Sequence, residues 1–131
     1  MRYLEVRTQL IEHVSAGGPE IVIPKEAFLH LLKAAIANVR FDELWYLEKY
    51  EDVQSALALK LLSSAKQHYL LYGYFEDRLP YAIKVDEKFY LAENPDVREA
   101  VESGAFKDGQ EHFDLHGFAE GREPYQGFQL F

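Results

Sequence analysis

The residues best suited to chemistry in this sequence are two histidines, His68 and His112, which lie 44 positions apart. One interpretation is a general base or a metal ligand. The other is a histidine that hydrogen-bonds a carbonyl or carboxylate inside the fold. The repetition favours the second interpretation, because a packing unit is duplicated far more often than a catalytic residue. We expect no catalytic residue in this chain.

A further histidine, His116, follows His112 by four residues, with Asp114 and Glu120 nearby. Two imidazoles at this spacing on one helical face can share a zinc ion. The equivalent of His116 in the earlier part of the chain is Tyr72, and the sequence has no cysteine. We therefore predict neither a native metal site nor a cofactor.

Two arginines, Arg78 and Arg122, recur at the same offset, and acids recur with them: Glu76 and Glu120, Asp52 and Asp96. One interpretation is a fork on each copy that binds a carboxylate or phosphate ligand. The other is an internal ion pair that fixes the register of neighbouring helices. We favour the internal pairs, Asp52 with Arg78 and Asp96 with Arg122.

These residues belong to a larger duplication of the chain. Residues 41–81 and 85–125 align without a gap, and 14 of the 41 aligned positions are identical. A period of this length indicates one supersecondary unit that stacks on a second copy of itself. Below, residues 41–81 are the first copy and residues 85–125 the second copy.

Each copy is predicted to fold as three short helices. Asp42 and Asp86 stand where an N-cap accepts the free amides of the first helix, and Asn94, followed by Pro95, predicts a capped start for the second helix of the second copy. The third helix is predicted at residues 64–72 and 108–116. We expect Gly73 and Gly117 to end it in the left-handed conformation that glycine adopts easily.

The N-terminal segment, residues 1–40, differs in pattern from the copies. Helical spacing of apolar residues predicts helices over residues 3–14 and 25–40, separated by a break at 15–19 and a short strand at 20–23. A lone strand needs a partner, and the same strand of a second subunit would supply one. The overall prediction is a mainly α fold: a helix–strand–helix dimerisation segment, then residues 41–131 as the tandem repeat with a tail, all in one compact domain.

Composition restricts the classes of function. The formal net charge is −8, which disfavours broad binding of nucleic acid or anionic membranes because both require a basic surface. We see no signal peptide and no apolar run as long as a membrane span. The expectation is a soluble cytoplasmic protein.

The second copy carries a recognisable pattern: Phe89-Tyr90-Leu91, Asn94-Pro95-Asp96-Val97, Ala100, His112-Phe113, Gly117 and Glu120-Gly121-Arg122-Glu123-Pro124. It resembles a bacterial helical repeat of about 40 residues found in accessory regions of glycosyltransferases and in large secreted calcium-binding proteins. The first copy departs from the pattern at Tyr50-Glu51 and at Asp77. The resemblance implies a helper or interaction module without an active site of its own.

From these observations we expect a non-catalytic adaptor with an unidentified protein partner, linked through the resemblance to surface-polysaccharide production. An alternative is a small dimeric regulator that binds DNA through Arg2, Arg7, Lys25 and Lys33; residues 21–26 resemble the strand-to-helix segment of antitoxin-type regulators. A further alternative is carbohydrate binding, which requires exposed, coplanar aromatic rings.

Overall fold

The computed structural model describes Thr8, Gly18 and residues 22–131. This part of the chain is mainly α-helical and contains no strand. Its helices are α1 (Lys25–Ala37), α2 (Glu43–Lys49), α3 (Glu51–Ala58), α4 (Ala65–Leu71), α5 (Glu87–Glu93), α6 (Pro95–Glu102) and α7 (Gly109–His112). A 3-10 turn, Gly73–Glu76, follows α4, and a π-helical turn, Phe113–Gly117, follows α7.

The N-terminal predictions meet the described residues only in part. The predicted helix at 3–14 lies outside the described residues except for Thr8, as do Glu20 and Ile21 of the predicted strand. Val22 and Ile23 are in neither strand nor helix, so the predicted strand is not confirmed. Helix α1 ends at Ala37, three residues before the predicted end at Arg40. The side-chain nitrogen of Asn38 donates back to the Ala34 carbonyl at 2.8 Å.

Contacts within the chain group it into two compact units, which divide between Val39 and Arg40. The predicted boundary at residue 40 differs from this division by one position. The unit Arg40–Leu130 contains helices α2 to α7 and both copies.

The short helices begin where side chains cap them. The Asp42 and Asp86 carboxylates each accept a hydrogen bond of 3.1 Å from the backbone amide three residues ahead. Both predicted caps are therefore confirmed. Ser64 and Asp108 cap α4 and α7 in the same way. Each copy also closes at its ends, since the Asp42 amide donates to the Pro80 carbonyl at 3.1 Å and the Asp86 amide donates to the Pro124 carbonyl at 2.9 Å.

The Asn94 side chain, in contrast, does not cap α6. Its amide nitrogen donates to the Tyr90 carbonyl at 2.8 Å, and its oxygen accepts from Arg122 at 2.8 Å. The position of Pro95 in the first turn is as predicted. The predicted role of Asn94 was wrong because a residue distant in sequence competes for its oxygen.

Gly73 and Gly117 are not left-handed, which corrects a second prediction. A Cβ atom on Gly73 would overlap the buried Tyr46 hydroxyl, and one on Gly117 would overlap the Tyr90 hydroxyl. These positions therefore require glycine because a tyrosine lies against the backbone, not because of a special dihedral angle.

The left-handed residues occur at two other places in each copy. They are Lys60 and Asp77 in the first copy, both with φ 56°, and Gly104 (φ 80°) and Gly121 (φ 70°) at the aligned positions of the second. Gly104 follows shortly after the end of α6 at Glu102. The first copy places residues with a Cβ where the second copy has glycine.

One core cluster contains residues from both copies. Leu79 of the first copy packs with four other buried residues, Ile83, Tyr90, Val97 and Phe113. Trp45 and Tyr81 pack against this cluster from the first copy, and Phe128 packs against it from the C-terminal tail. Each fully buried large side chain contributes roughly 1.5–3 kcal/mol of hydrophobic stabilisation, which short helices need.

Candidate functional site

His68 and His112 are buried and paired with tyrosines. The Tyr46 hydroxyl lies 3.0 Å from Nδ1 of His68, and the Tyr90 hydroxyl lies 3.0 Å from Nδ1 of His112. The prediction of an internal partner was correct in kind, but the partner is a hydroxyl and not a carbonyl or carboxylate. Each tyrosine precedes its histidine by 22 residues, a repeated spacing that was visible in the sequence.

The electrostatics of these pairs keep both groups uncharged. Burial lowers the pKa of His68 and His112, and the positive charges of Arg78 and Arg122 add to that effect. Burial raises the pKa of Tyr46, and it raises that of Tyr90 to about 12. A neutral imidazole bonded to a neutral phenol, with the histidines only 8% and 6% exposed, is suited to packing.

The two arginines are occupied by acids of their own copy. Arg78 donates to both oxygens of Asp52, at 2.8 and 2.7 Å, and through Nε to Glu76 at 2.7 Å. These are bidentate, charge-assisted hydrogen bonds of the strongest kind found in proteins. The Asp52–Arg78 pair is therefore present as predicted, and a fork that waits for an external carboxylate or phosphate is not.

The second copy repeats this arrangement and adds one contact. Arg122 donates to both oxygens of Asp96, at 2.9 and 2.7 Å, to Glu120 at 2.6 Å and to Asn94 at 2.8 Å. Its hydrogen bonds hold the pKa of Asp96 down at about 2. In the first copy the place of Asn94 is taken by Tyr50, whose ring lies 4.9 Å beneath the Arg78 guanidinium.

The two histidines considered as zinc ligands, His112 and His116, lie close together. The rings of His112 and His116 are 5.7 Å apart, and Phe106 packs edge-on against both. Across Thr8, Gly18 and residues 22–131, no three His, Asp or Glu side chains converge on a point where a metal ion would sit.

One concave feature with apolar walls is a groove of about 530 Å³ in the unit Arg40–Leu130. We call it the inter-copy groove, because its walls come from the 3-10 turn of the first copy and from the end of the second copy with the tail. Its lining residues are Tyr74, Phe75, Asp77, Phe118, Gly121, Arg122, Glu123, Phe128 and Leu130.

The groove combines apolar walls with two carboxylates. Of its charged residues, Arg122 is neutralised by the acids described above, whereas Asp77 and Glu123 have no ion-pair or hydrogen-bond partner for their side chains in the described part of the chain. The Tyr74 and Phe75 rings lie at 89° to each other. This pair therefore provides no coplanar platform of the kind that the carbohydrate alternative requires.

Further apolar side chains of the first copy are exposed. Leu44, Leu59 and Leu61 are 77%, 71% and 72% exposed, and Tyr72 and Phe75 are each about half exposed. The aligned residues of the second copy are Lys88, Ser103, Ala105, His116 and Ala119. This surface was not predicted, although the gapless alignment shows that these apolar positions differ between the copies.

The DNA-binding alternative depends on four basic residues, of which Arg2 and Arg7 lie outside the described residues. Lys25 and Lys33 are exposed on α1. That alternative stays a prediction.

Comparison with known proteins adds no relative: no family model, curated protein or solved structure matches this chain. Among the helices of residues 22–131, none has both the length and the apolar character that a membrane span requires.

Proposed function

We propose that this chain is a non-catalytic protein-interaction module in which residues 41–125 form two tandem three-helix repeats. The second copy resembles a repeat pattern from accessory regions of larger bacterial proteins. This resemblance supports an adaptor role linked to surface-polysaccharide production. The proposed binding surface is the inter-copy groove, together with the exposed Leu59 and Leu61 of the first copy.

One observation carries the proposal: the polar groups that could do chemistry are used inside the fold, while apolar groups face solvent. His68 and His112 are bonded to tyrosines, and Arg78 and Arg122 are bonded to acids. The groove remains open, and Phe75 in its wall is 50% exposed. Exposed apolar surface with a polar rim is typical of protein–protein contact sites.

Site-directed photocrosslinking tests this proposal in the cells that produce the protein. A photoreactive phenylalanine replaces Phe75 in the groove, and in a matched control it replaces Leu44, which is apolar and exposed but does not line the groove. We expect a discrete crosslinked protein from position 75 and none from position 44. The proposal is wrong if position 75 yields no product, or the same products as position 44.

A further inference from the structure

A turn in the first copy exposes two leucines on either side of a lysine. Leu59, Lys60 and Leu61 connect α3 to the segment before α4, and the two leucines are 71% and 72% exposed. Lys60 stands between them and forms no ion pair with any described residue. Residues 59–61, the leucine turn, thus offer two aliphatic side chains around one positive charge.

The backbone of the leucine turn is strained in a way that the second copy avoids. Lys60 has φ 56°, where the second copy has Gly104. The same holds at Asp77, also with φ 56°, where the second copy has Gly121. The left-handed conformation costs free energy in a residue with a Cβ, and retained strain of this kind points to a function of the side chain.

These two strained residues carry opposite charges and lie on complementary surfaces. Lys60 is the centre of the leucine turn, and Asp77 lines the inter-copy groove. Glu123 adds a second carboxylate to the groove, beside the apolar walls formed by Phe75 and Phe118. The groove volume of about 530 Å³ lies within the range of sites that enclose small apolar groups.

We infer that the inter-copy groove of one molecule binds the leucine turn of a second copy of this chain, with Lys60 facing Asp77. This inference rests on the proposed function, since it names the partner of the same groove. It accounts for the exposure of the two leucines and for both strained residues through one contact. Charge complementarity makes the second copy a fitting occupant even though each chain carries a net charge of −8.

The contact joins two different surfaces, so it is heterologous. Each molecule has one turn and one groove, and the contact can repeat from molecule to molecule or close reciprocally in a pair. The interface is small, so the association is weak and depends on protein concentration.

Two variants with second-copy residues test each side of the contact. The turn variant carries Leu59→Ser and Leu61→Ala, and the groove variant carries Phe75→Ala, as found at Ser103, Ala105 and Ala119. Sedimentation of the full chain from about 10 μM to 1 mM covers the affinity range of small interfaces. We expect the natural chain to associate and each variant to associate at least about tenfold more weakly, with the unchanged Tm of a folded protein.

Mixing the two variants provides the control for the direction of the contact. The turn variant keeps an intact groove and the groove variant keeps an intact turn, so an equimolar mixture forms a 1:1 heterodimer at concentrations where each variant alone is mainly monomeric. Exchange of the two charges gives a second control. Lys60→Asp and Asp77→Lys each weaken association, and the double exchange restores it, because the attraction is regained with the charges reversed.

Three results would overturn the inference: a natural chain that stays monomeric at 1 mM, association that survives both the turn and the groove changes, or a charge exchange without recovery. Association that survives both changes would instead locate self-assembly in residues 1–40, as the sequence predicted. If the chain stays monomeric while position 75 crosslinks to a different protein, the inference falls and the proposed function stands. If position 75 crosslinks to nothing, both fall.

Discussion

The two copies share one framework of hydrogen bonds and differ most at the surface. Both contain the tyrosine–histidine hydrogen bond at 3.0 Å, the arginine held by two acids, and the capping aspartate at the start of the first helix. In both, a glutamate of the first helix, Glu43 or Glu87, accepts the first amide of the third helix. The copies differ at many exposed positions, at some buried or half-buried ones such as Tyr50 and Asn94, and at three places where the first copy is less favourable.

Those three places are Lys60, Asp77 and Tyr69. Lys60 and Asp77 have left-handed backbone conformations. The Tyr69 hydroxyl is buried and has no hydrogen-bond partner among the described residues, whereas the aligned residue in the second copy is Phe113. The framework of the second copy shows that the fold does not require any of these features. The comparison therefore separates what holds a copy together from what the first copy alone presents to its surroundings.

The sharpest test of the shared framework is the substitution of the two glycines that lie against the tyrosines. We expect Gly73→Ala and Gly117→Ala each to lower the free energy of unfolding by about 3 kcal/mol, because the added methyl group overlaps a fixed hydroxyl. Urea denaturation measures both. Gly104→Ala is the matched control: it meets open space at φ 80° and should cost about 1 kcal/mol.

Rescue distinguishes this overlap from a general intolerance of alanine. Tyr46→Phe removes the hydroxyl that the new methyl group meets, so the double variant with Gly73→Ala should lose less stability than the two single changes predict together. Strict additivity would show that the hydroxyl is not the cause.

The next prediction transfers a residue from the second copy to the first. Tyr69→Phe should raise the free energy of unfolding by about 1 kcal/mol, because it removes a buried hydroxyl without a partner and keeps the ring. Tyr46→Phe should have the opposite effect, a loss of about 1–2 kcal/mol, since it leaves Nδ1 of His68 unpaired. Equal losses from both changes would contradict the assignment.

The arginine pairs should respond to mutation and to pH together. Arg122→Ala should lower Tm by about 5 °C at pH 7, with a similar effect for Arg78→Ala. The folded-state pKa of Asp96 is lowered to about 2, so the pair stabilises the fold above the unfolded pKa of about 4, and this stability is lost as pH falls through 2. Calorimetry from pH 7 to pH 2 should show the difference between the natural chain and the variant shrinking.

The left-handed positions should give a smaller gain. Lys60→Gly and Asp77→Gly should each stabilise the chain by about 0.5 kcal/mol, the relief of strain less the entropy cost of glycine. The reverse change, Gly104→Lys, should destabilise the second copy by a similar amount. A loss of stability on Lys60→Gly would mean that the lysine stabilises its own chain.

The smallest effect concerns the buried histidines. Their folded-state pKa is lowered, so the neutral form stabilises the fold above the unfolded pKa of about 6.5, and this stability is lost as pH falls through the folded pKa. Tm should therefore decrease from pH 7 to pH 5. In His112→Gln the decrease should be smaller, and an identical pH profile would show that this histidine does not contribute.

The sequence was sufficient for features that depend on neighbours in the chain or on the repeat offset. The caps at Asp42 and Asp86 depend on amides three residues away, and the Arg78–Asp52 pair follows from the duplicated charges. Glycine was expected to be required at Gly73 and Gly117 for its left-handed conformation. The actual reason is a tyrosine on another helix, which the local sequence does not show. The inter-copy groove depends on packing between distant segments, which no local pattern encodes.

The bond between the Asp42 amide and the Pro80 carbonyl, matched by Asp86 and Pro124, has a consequence for the gene. The chain leaves each copy at the point where it came in, so a copy is a cassette whose two ends are already joined. Recombination can add or delete such a cassette in steps of 44 codons without leaving an unsatisfied backbone group behind. Each new cassette then inherits the framework and is free to diversify its surface.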